Sequence, residues 1–99
     1  AYLHFLETLR GIYPEAWLIV VAGPMLSDHY PEGELAWTRS QQDLHWVITA
    51  RQGAGDEQLL LHRYAPQQGP WGQDFHPTSQ THRAMAVSLV GRLRKVFGW

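Results

Sequence analysis

Two kinds of hydrophobic pattern alternate along this chain. Tyr2, Phe5, Leu6, Leu9 and Ile12 recur at three- and four-residue spacing, which predicts a first helix closed by Pro14. Residues 16–22 (Ala-Trp-Leu-Ile-Val-Val-Ala) then form a continuous apolar run rich in branched side chains, stopped by Gly23-Pro24. A run that is apolar on both faces is the pattern of a central parallel strand covered by helices above and below. After a polar loop over 25–35, a second helix is predicted from near Thr38 or Ser40 to about Arg51. Leu44, Trp46, Val47 and Ile48 are among its apolar positions, and Ser40 with Asp43 is its expected cap. The turn Gly53-Ala54-Gly55-Asp56 leads into a second strand over 58–64, followed by a loop over 65–73 that carries two prolines, two glycines and Trp71. A last helix is predicted from Pro77, a good first-turn residue, with Met85, Ala86, Leu89, Val90, Leu93, Val96 and Phe97 on its buried side.

The order helix, strand, helix, strand, helix places the chain in the α/β class, as part of a doubly wound, three-layer α/β/α parallel sheet. Two strands are few for that architecture, whose sheets usually hold about five. Residues 1–99 therefore read as the C-terminal portion of a single larger domain. The remaining strands are expected from another chain, a swapped partner or a deleted segment.

Composition narrows the function classes. Ninety-nine residues make one domain at most, and 44% hydrophobic with 17% charged residues suits a packed chain. The formal net charge is -1, and Arg92, Arg94 and Lys95 gather at the end of the last helical pattern, against the negative end of the helix dipole. No cationic stripe interleaves with aromatics, so nucleic acid is not an expected partner. The longest apolar run, 16–22, is much too short to cross a bilayer, and no membrane partner is expected. There are no cysteines. The six histidines have no two at ligand spacing on one helix face and no carboxylate-histidine motif accompanies them, so neither a metal nor another cofactor is expected.

The richest chemistry lies in residues 72–78, Gly-Gln-Asp-Phe-His-Pro-Thr. An imidazole close to a carboxylate, just ahead of a helix, has the ingredients of a general base placed by a rigid element. Local sequence alone favours a helix-capping or loop-packing histidine over a catalytic one at His76. Ser27-Asp28-His29 puts three triad-like residues in a row, but adjacent side chains rarely converge on one point, and no nucleophilic site is read there. Trp17, Trp37, Trp46 and Trp99 are expected in the core or an interface.

Three stretches resemble the SGNH (GDSL-type) hydrolases, and among these the carbohydrate esterases that remove acetyl groups from xylan and related polysaccharides. The first is Phe5-Leu6 through Leu9-Arg10, then Tyr13-Pro14-Glu15-Ala16 and the strand ending Gly23-Pro24-Met25. The second is the strand around Leu59 to Leu61 and the loop ending in Gly72. The third and most specific is Asp74-Phe75-His76-Pro77-Thr78, followed by His82, Met85 and Ala86. The resemblance spans nearly the whole chain but only the back half of the family's flavodoxin-like domain.

The resemblance implies a serine esterase in which His76 takes the proton of a serine hydroxyl and returns it to the leaving alcohol. The family's serine lies in an upstream Gly-Asp-Ser motif, and its oxyanion donors include a glycine and an asparagine. This chain has no Gly-Asp-Ser and no asparagine, so the nucleophile is expected from the missing N-terminal half or a partner chain. Many superfamily members place an aspartate three residues before the histidine, where this chain has Gln73. Asp74 stands two before, and two roles are open for it: an acid touching the imidazole, or a residue that shapes the loop or caps the helix. Trp71 either stacks on a sugar ring or forms a lid over the crevice. The implied partner is an acetylated poly- or oligosaccharide, and the implied location is secreted or periplasmic in a bacterium. A non-catalytic carbohydrate-binding or assembly half-domain is the alternative.

Overall fold

The continuous apolar run and the second strand candidate both form strands. In a computed structural model describing residues 1–67, 69 and 71–99, with Phe75 described by its backbone alone, the order is α1 (Tyr2–Ile12), β1 (Leu18–Ala22), α2 (Ala36–Gly53), β2 (Leu59–Arg63), a short 3-10 turn (Gln73–Phe75) and α3 (Ser79–Phe97). Residues 68 and 70 of the long loop lie outside the described residues. The strands are parallel, with Leu18 opposite Leu59, Val20 opposite Leu61 and Ala22 opposite Arg63. Side chains alternate across a strand, so each face of this narrow sheet receives every second residue. Val20 and Leu59 join Leu6 of α1 and Val47 and Ile48 of α2 in the core, with Leu3, Leu18, Leu44 and Leu61 packed around them. The other face carries His62, whose ring meets Ser88 of α3, while Trp17 just before β1 sets its ring edge against Phe97. Helices thus lie on both faces, as the unbroken apolar run requires.

Three sequence expectations shift. α2 begins at Ala36, ahead of Thr38 and Ser40, and Ser40 does not cap it: its hydroxyl donates to the Trp37 carbonyl at 2.7 Å inside the helix. The cap comes from Asp28, ten residues upstream, whose carboxylate accepts from the Thr38 N–H at 2.8 Å and from the Thr38 hydroxyl. Those hydrogen bonds hold the Asp28 carboxyl below its ordinary range. This accounts for Asp28 in Ser27-Asp28-His29, and the Ser27 hydroxyl oxygen accepts from the His29 N–H at 3.2 Å. α3 begins at Ser79 rather than Pro77, because Thr78 is its cap and accepts from the Thr81 N–H at 3.3 Å.

The third shift concerns burial on α3. Met85, Leu89, Leu93 and Phe97 are half-buried, whereas Ala86, Val90 and Val96 are exposed. Two strands span only about 5 Å from axis to axis, roughly half a helix diameter, so the sheet covers a stripe of α3 and leaves its flanks bare. The same shortage of cover leaves Trp17, Trp46 and Trp99 exposed rather than in the core, with Trp37 half-buried.

The amino end of the sheet is held by charge. Asp56, after Gly55 (φ 95°), is buried and accepts a two-pronged pair from Arg10 Nε and Nη2, each at 2.9 Å, plus Arg51 Nη2 at 3.3 Å. Arg10 also donates to the carbonyls of Tyr13, Ala16 and Gln58, at 3.0, 2.6 and 3.0 Å. One guanidinium therefore ties the end of α1, the entry to β1 and the entry to β2.

His62 gives the sheet a measurable acid sensitivity. It is buried at 7% exposure, its Nε2 lies 3.2 Å from the Ser88 hydroxyl, and Tyr64 meets it edge-on at 4.7 Å. Burial, with the Arg92 charge on α3, pushes its pKa below the ordinary value. A depressed histidine is neutral in the fold, so its contribution is complete above about pH 6.5 and is lost as pH falls from there toward the folded value. Urea unfolding at pH 7.5 and pH 5 is expected to show lower stability at pH 5 in the native chain, and a smaller difference in His62→Phe. An equal difference in both would remove His62 from the account.

Candidate active site

The imidazole of His76 is presented by a loop closed on itself. Trp71 and Pro77 pair as an antiparallel bridge, the Gly72 N–H donates to the His76 carbonyl at 2.7 Å, and the His76 N–H donates to the Gln73 carbonyl at 3.0 Å. Inside this loop Asp74 takes a left-handed conformation (φ 52°, ψ 38°), which turns the chain back on itself. A Cβ on Gly72 would stand 3.1 Å from the His76 carbonyl oxygen, so glycine there allows the close approach. The loop delivers the chain to Thr78 and α3, and His76 is two residues ahead of that cap.

His76 opens into a groove at the carboxyl end of β1, the edge where open α/β sheets place their ligands. Gly23, Pro24, Met25 and Leu26 form one wall; Pro77, His82 and Met85 join His76 on the other. The groove holds about 410 Å³. The Gln67 N–H donates to the Pro24 carbonyl at 2.9 Å, which ties the loop after β2 to the turn after β1. Trp71, half exposed, lines an adjoining groove with Ser27, His29, Tyr30 and Gln67, and Met25 belongs to both. Gly69 (φ 98°) underlies the indole: a Cβ there would stand 3.5 Å from the ring.

The structure therefore joins His76 to a groove and sets Trp71 beside it. It does not join Asp74 to His76: among the described residues no hydrogen bond or ion pair links them, and Asp74 is exposed. Among the described residues no serine lines the His76 groove. The one hydrogen bond between a serine hydroxyl and a histidine ring among the described residues, Ser88 with His62, lies on the face of the sheet under α3, where Arg92 opposes a positive imidazole. That pair suits packing rather than proton transfer. Among the described residues there is no cluster of three or more metal-ligating side chains and no helix long and apolar enough to cross a membrane. His62–Ser88 and Arg10–Asp56 escape sequence reading because their members are 26 and 46 residues apart with no local spacing to mark them. His82 was visible only as a companion of the 74–78 segment.

No family model matches the chain. It is 30% identical over 101 residues to cellulase/esterase CelE of Acetivibrio thermocellus, a match that takes in 100% of this chain and 12% of that protein. Among solved structures it is similar to a family two carbohydrate esterase from Clostridium thermocellum in complex with cellohexaose, with a TM-score of 0.85 and 26% identity. It is also similar to a carbohydrate esterase family 2 enzyme with a carbohydrate binding domain from Corynascus thermopiles (Myceliophthora fergusii), with a TM-score of 0.85 and 25% identity. Each of these matches covers 99% of this chain and 29% of the other.

Proposed function

We propose that this chain, which carries part of the SGNH hydrolase fold of the family 2 carbohydrate esterases, is the C-terminal, histidine-bearing portion of a serine esterase that removes acetyl groups from xylan-like carbohydrate. The observation that carries this reading is His76, fixed by the 71–77 loop in a groove at the carboxyl end of β1. In the reaction the His76 imidazole takes the proton of a serine hydroxyl supplied from outside these 99 residues. The alkoxide attacks the acetyl carbonyl, and the imidazolium returns the proton to the departing sugar alcohol. Water then repeats the sequence to release acetate. The absence of a contact between Asp74 and His76 favours a serine–histidine dyad, with Asp74 shaping the loop through its left-handed backbone. The serine-bearing remainder pairs along the open outer edge of β1, whose other edge is taken by β2.

Trp71 contacts the sugar. Its half-exposed indole flanks the His76 groove and offers an apolar face to a pyranose ring. The test is acetate release from acetylated xylo-oligosaccharides by the protein carrying its serine-bearing portion. Trp71→Ala is expected to raise KM several-fold, on the order of 1 kcal/mol of lost apolar contact, with a smaller effect on kcat. A form that carries the serine, binds the oligosaccharide and releases no acetate would leave the non-catalytic carbohydrate-binding reading in its place.

A further inference from the structure

The groove that holds His76 contains a second imidazole. Among the described residues that line it, only His76 and His82 have side chains carrying nitrogen or oxygen; the others are glycine, proline, leucine and methionine. Among the described residues, a polar substrate entering there meets side-chain hydrogen bonding from these two rings. The two are mounted differently. His76 sits on the extended segment before α3, whereas the His82 N–H makes a helical bond to the Thr78 carbonyl at 2.8 Å, at the residue that caps α3. Helical spacing then puts His82 and Met85 on the groove side, while Thr81, Ala84 and Ser88 line the neighbouring cavity beside Tyr64. His82 is exposed, and among the described residues no hydrogen bond or ion pair holds its ring elsewhere in the fold.

We infer that His82 is a specificity-determining residue for the esterase reaction, hydrogen-bonding a free hydroxyl of the alcohol part of the substrate. The inference rests on the esterase reading and deepens it. A base must keep one ring nitrogen free for the serine proton, so His76 is poorly suited to hold the sugar as well. A ring on the rigid first turn of α3 is available for that task, and a neutral imidazole offers one donor and one acceptor to a hydroxyl. Its apolar surroundings make the bond selective, because a desolvated polar group left without a partner is costly. The class of ester selected is one whose alcohol bears a hydroxyl near the acylated oxygen, as in a partly acetylated sugar, over a simple aryl or alkyl acetate.

The test uses the protein with its serine-bearing portion and compares wild type, His82→Leu and His82→Gln on monoacetylated xylobiose and on p-nitrophenyl acetate. The readout is the ratio of the two kcat/KM values. His82→Leu is expected to lower that ratio about tenfold or more, chiefly through KM for the sugar ester, and His82→Gln to recover part of it. A ratio unchanged in His82→Leu, or glutamine no better than leucine, overturns the assignment. Thermal unfolding of the three proteins separates a specificity effect from damage to α3. Failure of the esterase reading shows elsewhere, as p-nitrophenyl acetate hydrolysis that survives His76→Ala.

Discussion

Replacing His76 by alanine, in the protein that carries its serine-bearing portion, will lower kcat/KM for p-nitrophenyl acetate at least about 10³-fold. A serine hydroxyl is a weak nucleophile at neutral pH, and the proton it loses has to go to a base within hydrogen-bond reach. The loop geometry makes the experiment a clean one. The bonds that close the loop, from Gly72 N–H to the His76 carbonyl and from the His76 N–H to the Gln73 carbonyl, are main-chain and survive the substitution. His76 is also exposed, so its removal opens no cavity in the core. Loss of rate with an unchanged unfolding midpoint is therefore the expected pairing. Asp74→Asn in the same protein separates two mechanisms: in a triad, losing the carboxylate costs roughly 10⁴-fold, whereas a dyad oriented by backbone loses far less. With no contact from Asp74 to the imidazole, the smaller loss is expected. A fall of less than tenfold in His76→Ala would assign the base elsewhere.

The largest stability effect is expected at the opposite end of the sheet. Asp56→Ala leaves Arg10 and Arg51 without their shared carboxylate in a site where the Asp56 side chain is 4% exposed and each arginine 15%. Removing one member of a buried ion pair costs about 3–5 kcal/mol, against about 5–15 kcal/mol for the stability of a typical domain. The Asp56→Ala chain is expected to be largely unfolded near 37 °C by circular dichroism. Unmutated Asp56 also has a signature in acid. Burial raises its pKa, but the Arg10 and Arg51 hydrogen bonds outweigh burial and hold the carboxyl below its ordinary range. A depressed carboxyl contributes stability that is complete above about pH 3.9 and is lost as pH falls through the folded value. Urea titrations between pH 5 and pH 2.5 should show that loss in the native chain. Asp56→Asn, already weakened at pH 5, should fall less steeply. An Asp56→Ala chain with a native-like midpoint would mean that the three-way pair is ornamental.

These predictions rest on features of very different visibility in the sequence. The first strand was legible because residues 16–22 have no polar face to present to water, and a continuous run has few places to go except a covered parallel sheet. The second was legible from Leu59-Leu60-Leu61 following the turn over 53–56. His76 was legible because Asp-Phe-His-Pro-Thr is a local segment whose resemblance is read letter by letter. The start of α2 was not legible, since its cap is Asp28, brought in by a loop ten residues away, while Ser40 imitates a cap and bonds back to Trp37 instead. The packing of α3 was misjudged for a reason of width: helical periodicity says which face is apolar, but how much of that face is covered depends on the number of strands beneath it. The Arg10–Asp56 clamp has no sequence signature. It is assembled by the fold from residues that each look like an ordinary surface charge.

The bond between Gly72 and His76 converts a count of residues into a length. With the Gly72 N–H 2.7 Å from the His76 carbonyl and Trp71 bridged to Pro77, three intervening residues are what the reach of the loop admits. One more or one fewer would carry the same side chains past the groove or short of it. The chain therefore carries a gauge just ahead of its last helix. The interval that aims the imidazole, from the indole to Pro77, is closed to insertions.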